Sequence, residues 1–371
     1  MQEAGFVWGE ITKYFKPVGL DSLVHFVTYK CNAKCEHCFF LGELNKKGEL
    51  SKDEIFRIIN GLGPLRGVLI SGGEPFLRSD LAQIVTEYAA KCRPSVVSIP
   101  TNGFNTDQIL ASCEEILGNC RNLNLTIAVS LDGLSDKHDK ERNFPGGFTR
   151  AVEAARRLVS FKIKYPRLRI HIVTVMMPSN INLLRDISGF VRKEIDPDYH
   201  WFEPIRQSDL GDLLANISSQ GLRSFLKENI VYYFKKIKGT SQNIYSSWLL
   251  NNAIISFALN NLKIALDNFM DGKKWPVRCV AGKRIAVLYP DGSISACELR
   301  KGMVNVRDFD YKLTEALGCP AFKNEIRDIA KGACSCFHGC FIPPSVRFNP
   351  LYMGRLAFKT IFTKYDERMA K

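Results

Sequence analysis

The sequence predicts an α/β fold: a partial (β/α)6 TIM-like barrel, a helical connector and a small C-terminal cysteine-rich β-hairpin module. Three observations predict it. From Ser22 to about Arg206, short β-rich runs alternate with amphipathic helical stretches, the pattern of a parallel sheet clothed in helices. Residues 207–275 lose the β-rich runs and keep apolar positions at helical spacing. Residues 276–345 then gather Cys279, Cys297, Cys319, Cys334, Cys336 and Cys340 around a Pro-Asp-Gly turn.

Taken in order, residues 1–21 form an N-terminal extension. The barrel, 22–206, has strand candidates at 22–29, 67–71, 95–100, 125–131, 168–177 and 198–204. Ser51-Lys52-Asp53-Glu54 opens a helix with a capping box, in which Ser51 and Glu54 satisfy free N–H groups. Six strand–helix units imply a partial barrel, with an open doubly wound sheet as the competing arrangement. In the connector, 207–275, Leu222, Phe225, Leu226, Ile230, Tyr233 and Phe234 mark an apolar helix face. It is expected to pack, or to cover the barrel mouth. In the module, 276–345, residues 284–289 and 293–297 flank Pro290-Asp291-Gly292 as a β-hairpin. The tail, 346–371, alternates Arg355, Lys359, Lys364, Arg368 and Lys371 with apolar residues. This reads as a basic amphipathic helix docked on the barrel or lying on a membrane surface.

Composition narrows the function classes. Of 371 residues 46% are hydrophobic and 24% charged, which excludes a disordered chain. No N-terminal stretch has the layout of a secretory signal, and Asn and Lys interrupt the apolar run from Trp248 to Phe269. A cytoplasmic location follows as the expectation, with peripheral membrane contact as an addition. The net charge of +13 favours anionic partners without naming one. With no export signal, the twelve cysteines speak for metal rather than disulfides. Cys92, Cys113 and Cys120 have no partners at ligand spacing and read as buried thiols.

Cys31-x3-Cys35-x2-Cys38 follows the first strand, on the face where (β/α) barrels build active sites. Three thiolates at these offsets can ligate three irons of a cubane and leave the fourth iron open. Structural zinc takes four ligands. The motif resembles the signature of the radical S-adenosylmethionine (SAM) superfamily, with His37 where that family usually has a plain aromatic. Further strand ends carry the resemblance: Gly72-Gly73-Glu74-Pro75, Thr101-Asn102, and Ser130-Leu131-Asp132-Gly133 followed by His138-Asp139 and Arg142. It implies that Gly72, Gly73, Glu74 and Pro75 hold the SAM amino group, that Ser130 meets the ribose, and that Arg142 meets the carboxylate. Thr101, Asn102 and Asp132 are expected at the same cofactor site. Met176, at the fifth strand's end, is expected there too or in the core. Glu203 and Arg206, after the sixth strand, are the substrate-facing catalytic candidates, or else a structural ion pair.

The second cysteine group resembles the SPASM and twitch domains of that superfamily, which carry auxiliary 4Fe–4S clusters. Six cysteines fall short of the seven of a full SPASM pattern. One auxiliary cluster is therefore expected, on Cys279, Cys297 and two of Cys334, Cys336 and Cys340, with Cys336 and Cys340 as the expected pair. Recruitment of Cys319 and Cys334 with a non-cysteine ligand would make two. The resemblance implies reductive cleavage of SAM, hydrogen abstraction from substrate by the 5′-deoxyadenosyl radical, and an electron donor such as flavodoxin or ferredoxin. About twenty residues precede the first strand, which leaves no room there for a peptide-recognition domain. The expected substrate is thus a small molecule (sugar, aminoglycoside or lipid-linked), undergoing net oxidation with the auxiliary cluster's help. Modification of a ribosomally made peptide is the alternative, and a non-catalytic zinc or nucleic-acid-binding protein is the alternative of another class.

Overall fold

The computed structural model describes residues 19–206, 218–240, 248–300, 302–332 and 336–362. Nine strands form one sheet in the order β6-β5-β4-β3-β2-β1-β7-β8-β9. The first six are β1 (Ser22–Phe26), β2 (Gly67–Ser71), β3 (Val96–Thr101), β4 (Asn124–Ser130), β5 (Leu168–Met176) and β6 (Tyr199–Pro204). All five pairings among them are parallel and join consecutive strands. A doubly wound sheet reverses its order at a switch point and takes helices on both faces. No reversal occurs here, so successive right-handed crossovers put the helices on one side and leave a concave face on the other.

Burial along β5 records this two-sidedness. Leu168, Ile170, Ile172, Thr174 and Met176 are buried, whereas Arg169, His171, Val173 and Val175 are not. The buried set of each strand packs on helix residues such as Ile55, Ile84, Ile116, Leu158 and Ile187. Ser51 caps the helix Lys52–Asn60 as a capping box, as its sequence requires, worth about 1 kcal/mol. In the register of the sheet, Leu69 pairs with Ser98 and Ser98 with Thr126, while His171 pairs with Ala128 and Tyr199. Partners in register share a face, so the concave side carries Ser98, Thr126, Ser130 and His171 together with the apolar Leu69, Val173, Val175 and Trp201.

The cysteine-rich module is a continuation of this sheet. β7 (Ile285–Leu288) adds parallel to β1, with Ser22 opposite Ile285 and His25 opposite Leu288. β8 (Ser293–Ser295) returns antiparallel after the Pro290-Asp291-Gly292 turn, and β9 (Val304–Asn305) follows. The sheet therefore runs unbroken across the boundary expected at 275/276.

The described parts of the connector are the helices Ser219–Thr240 and Trp248–Asp271. They cover the β6 flank: Leu222, Phe225, Leu226, Leu266 and Phe269 pack with Met176, Ile181 and Leu184, and Asn229 Nδ2 donates to the His200 carbonyl at 2.8 Å. The helix Pro350–Phe362 lies against this connector rather than the barrel, with Tyr352 Oη bonded to Asn260 Oδ1 at 2.9 Å and Met353 in the cluster of Phe257 and Ile264. Lys364, Tyr365, Arg368 and Lys371 lie outside the described residues, as do most of residues 1–21. Among the described residues, no helix is long and apolar enough to cross a membrane.

Candidate active site and cysteine centres

All six barrel strands run the same way, so their C-terminal ends share one rim. The loop after β1 brings Cys31, Cys35 and Cys38 to it. Cys35 is buried with Ala33 and Phe104, and Cys31 and Cys38 pack beside them. Burial first, then the neighbouring Glu74, Cys35 and Cys38, push the Cys31 thiol up to about 11. Crowded, buried thiols of this kind bind a proton or else a metal, whose positive charge makes thiolates favourable. Among the described residues, the trio of metal-ligating atoms that closes to within 4.8 Å is Glu298, His338 and Cys340. The three N-terminal thiols do not close so tightly. Cys31, Cys35 and Cys38 nevertheless pack in one cluster with Ala33 and Phe104, and thiols are the donors an iron–sulfur cubane takes.

Gly72 and Gly73 face protein rather than open space. At Gly72 (φ +141°) a Cβ would lie 2.5 Å from the Thr28 carbonyl oxygen, and at Gly73 one would lie 2.2 Å from that of Lys30. Their N-terminal neighbour is the cysteine loop itself, tied down by Gly73 N–H to Thr28 (2.9 Å) and Glu74 N–H to Lys30 (2.8 Å). The lack of a side chain at both glycines thus lets β2 support the cysteine loop. Pro75 is buried and opens a 3-10 turn through Leu77. Glu74 is buried; its carboxylate accepts from Phe76 N–H at 3.2 Å and Asn102 N–H at 2.7 Å. Burial raises it to about 7 despite these bonds, a state that a ligand ammonium would reverse.

Thr101 and Asn102 are committed within the protein. Thr101 Oγ1 accepts from Gly103 N–H (3.1 Å), Asn102 Oδ1 accepts from Phe104 N–H (2.9 Å), and Asn102 Nδ2 donates to Asn32 Oδ1 (2.7 Å). The end of β3 therefore clamps the cysteine loop. Asp132 is likewise enclosed. Its Oδ1 accepts from Val175 N–H at 2.8 Å, and its Oδ2 pairs with Arg142. Burial opposes its ionisation, but Arg142 outweighs that and holds the carboxyl low. Its part is to anchor Arg142. Arg142 Nη1 in turn lies 3.6 Å from Cys35 Sγ, while its buried Nε has no hydrogen-bond partner. Ser130 ends β4 part-exposed on the concave side. Met176 does not reach this site: it is 1% exposed on the opposite face of β5, against Leu222 and Phe225, because strand neighbours alternate. Its place is the core.

His37 carries a partner set that sequence spacing did not disclose. Its Nδ1 is 2.8 Å from Glu141 Oε1 and its Nε2 is 3.7 Å from Asp132 Oδ2. Glu141 precedes Arg142 in the short helix Asp136–Arg142, so one helical turn delivers both charges to the cysteine loop.

At the module, Cys297 gathers the second cysteine group. Burial pushes its thiol up to about 12, with Cys336, Glu298 and Cys279 adding to the rise; Cys340, pushed up by burial too, feels Cys297 in turn. Trp275 Nε1 donates to the Cys336 carbonyl and holds that strand of chain. The Cys319 sulfur accepts from Phe322 N–H and caps the helix Pro320–Ala330. Cys334 lies outside the described residues. Cys92, Cys113 and Cys120 are buried in the core.

Arg206 bridges the two centres. Its guanidinium sits 4.5 Å over the Phe39 ring, next to Cys38, and pairs with Glu298, next to Cys297. Arg206 makes its ion pair with Glu298, and its charge also acts on Glu203. Glu203 lies against the module backbone, where a side chain at Gly339 would fall 2.8 Å from its carboxylate. His338 Nε2 is 2.9 Å from Glu298 Oε2. Arg206 and His338 hold Glu298 down at about 2 although burial pushes it up. Glu298 and His338 escaped the sequence reading, although each is within two residues of a cysteine in the module.

Residues 26–188 match the family described as the Radical SAM superfamily. A probable GTP 3',8-cyclase of Methanococcus maripaludis is 26% identical over 281 residues, 74% of this chain and 84% of that protein. An Fe-coproporphyrin III synthase of Methanosarcina barkeri is 32% identical over 146 residues, 38% of this chain and 34% of that protein. Among solved structures, anSMEcpe with bound AdoMet has a TM-score of 0.57 at 16% identity, covering 95% of this chain and 98% of that one. Streptococcus suis SuiB has a TM-score of 0.54 at 16% identity, covering 88% and 72%. The last two share the fold, a partial TIM-like barrel.

Proposed function

Because this chain belongs to the radical SAM superfamily through residues 26–188, we propose that it takes a hydrogen atom from a small polar substrate held on the concave face of the barrel. Cys279, Cys297, Cys336 and Cys340 would hold a second 4Fe–4S cluster, which would supply an electron acceptor beside that substrate. SAM and the cluster on Cys31, Cys35 and Cys38 supply the hard chemistry, reductive cleavage to methionine and a 5′-deoxyadenosyl radical. The balance would close with one electron supplied by an external donor for SAM cleavage, and with the substrate giving up a hydrogen atom, then an electron to the second centre and, where charge requires it, a proton to solvent.

The residues divide the remaining work. Glu74 is a buried carboxylate suited to the SAM ammonium, and Arg142 offers its unpartnered Nε to the carboxylate. Ser130 faces the ribose side. Asp132, Asn102 and Gly73 hold the frame in which these groups are fixed. Glu203 and Arg206 close the substrate space on the module side.

The observation that carries this reading is Arg206, whose one side chain contacts Phe39, next to Cys38, and Glu298, next to Cys297, and whose charge acts on both Cys38 and Cys340. A substrate between them is within reach of both. Its polar character is supported by the part-exposed Ser71, Ser98, Ser130, His171 and Glu203 on the concave face. The net charge of +13 favours an anionic one. The relatives named GTP 3',8-cyclases make GTP the first candidate.

The test is anaerobic reconstitution, then incubation with SAM and dithionite, with and without deuterated GTP. Formation of 5′-deoxyadenosine supports the reading, and deuterium within it identifies the substrate. Absence of SAM cleavage by an iron-loaded protein, or cleavage that survives Cys31→Ala, Cys35→Ala and Cys38→Ala together, would overturn it.

A further inference from the structure

Three charged or polar side chains from distant parts of the chain meet in the wall between the cysteine centres. Arg206 follows β6, Glu298 follows Cys297, and His338 stands between Cys336 and Cys340. The Glu298 and His338 side chains are 5% and 2% exposed. Their hydrogen bonds fix the histidine tautomer. The Cys340 backbone N–H donates to His338 Nδ1 at 3.3 Å, so the ring proton is on Nε2 and donates to Glu298 Oε2 at 2.9 Å. Glu298 also takes the Arg206 guanidinium.

Burying an ion pair rarely stabilises a fold more than apolar packing would. Beside an iron–sulfur cluster, however, hydrogen bonds to the ligand loop and the net charge of its surroundings are what a protein uses to set a reduction potential. We propose that Arg206, Glu298 and His338 are positioning residues that set the potential of the cluster on Cys279, Cys297, Cys336 and Cys340. This rests on the two-cluster reading above. His338 holds the Cys340 N–H away from the cluster sulfurs and orients the 336–340 loop. Glu298 and Arg206 balance each other, so neither charge acts alone on the cluster. Reduction adds negative charge, so an uncompensated Arg206 raises the potential and an uncompensated Glu298 lowers it.

The experiment is an EPR-monitored redox titration of the reconstituted protein, with the N-terminal cluster as internal reference. Glu298→Gln keeps an acceptor for His338 and is expected to move the second cluster's potential upward. Arg206→Gln is expected to move it downward. The double variant returns it toward the parent value, and Arg206→Lys leaves it in place. A residue that only supports the fold does not produce opposite signs that cancel. Shifts of the same sign, or none, in proteins carrying both clusters would overturn the inference. If Glu298→Gln does not load, Arg206→Gln against Arg206→Lys decides the sign. If the parent protein carries only one cluster's iron, the two-cluster reading itself fails and this inference with it, a result distinct from a loaded but indifferent cluster.

Discussion

Arg142 Nη1 lies 3.6 Å from Cys35 Sγ, while Nη2 of the same guanidinium is paired with Asp132. One side chain therefore ties the end of β4 to the middle of the cysteine loop. Asp132 is held by Val175 N–H from β5, so three strand ends are linked through two buried charges. The pair helps to fix where Cys35 stands.

Breaking it by Arg142→Met strands a carboxylate whose side chain is 0% exposed. A loss of about 3–5 kcal/mol in unfolding free energy is expected, with lower iron content per chain. Asp132→Asn in the same protein removes the orphaned charge and recovers a large part of the loss. Urea denaturation of the four proteins of this double-mutant cycle measures the coupling. Additive effects would show that the contact does not exist in solution.

Gly73→Ala tests the contact between β2 and the cysteine loop. The new Cβ would meet the Lys30 carbonyl oxygen at 2.2 Å and carbon at 2.7 Å, and backbone cannot swing aside as a side chain can. A cost of about 3 kcal/mol or more is expected, with loss of the N-terminal cluster. Gly63→Ala, whose Cβ would have nothing within 4 Å, is the control and is expected to change stability by about 0.5 kcal/mol at most. Iron content and thermal melts of both variants decide the matter.

Much of this was legible in the sequence because the relevant signals are local. Strand 67–71 and the strands ending near 130, 176 and 204 coincide with β-rich runs, and the capping box at Ser51 is a four-residue signal. Side-chain direction was less legible. Met176 and Glu203 end neighbouring strands, yet one faces the connector and the other the concave side, and only register separates them. The roles of His37, Glu141, Glu298 and His338 depend on partners 104, 104, 40 and 40 residues away respectively. No spacing rule reaches that far. Nor does a Pro-Asp-Gly hairpin announce that its first strand will join β1, since the choice depends on which sheet edge is open.

Cys319 separates a cap from a cluster ligand. Its sulfur accepts from Phe322 N–H at 3.5 Å. Cys319→Ser supplies a better acceptor at the same position and is expected to keep stability and iron content. Cys319→Ala removes the cap and costs about 0.5–2 kcal/mol, again with full iron. Cys340→Ser is expected to lose the second cluster's iron while SAM cleavage persists. Iron and sulfide assays on the three variants distinguish the roles; iron loss in Cys319→Ser would make it a ligand after all.

Glu54 fastens the barrel to the module, and its ionisation gives that contact a pH signature. Its Oε1 accepts from Arg307 Nε at 2.9 Å and Tyr311 Oη at 2.7 Å, and its Oε2 accepts from Ser51 N–H at 2.7 Å. The Arg307 bond, above all, holds the carboxyl down at about 2, against 4.5 for a free side chain. A carboxyl depressed by folding contributes stability that is complete above the unfolded value and disappears as the folded group becomes protonated. The contribution should therefore be present at pH 7, begin to fall below about pH 4.5, and vanish near pH 2. The pair is part-exposed, so about 1 kcal/mol is expected. Glu54→Gln should lower stability at pH 7 by that amount and flatten the acid limb. Denaturant unfolding at pH 7, 4.5 and 3 measures both, and a variant deficit that persists undiminished at pH 3 would show that the carboxylate charge is not what holds the module to this helix.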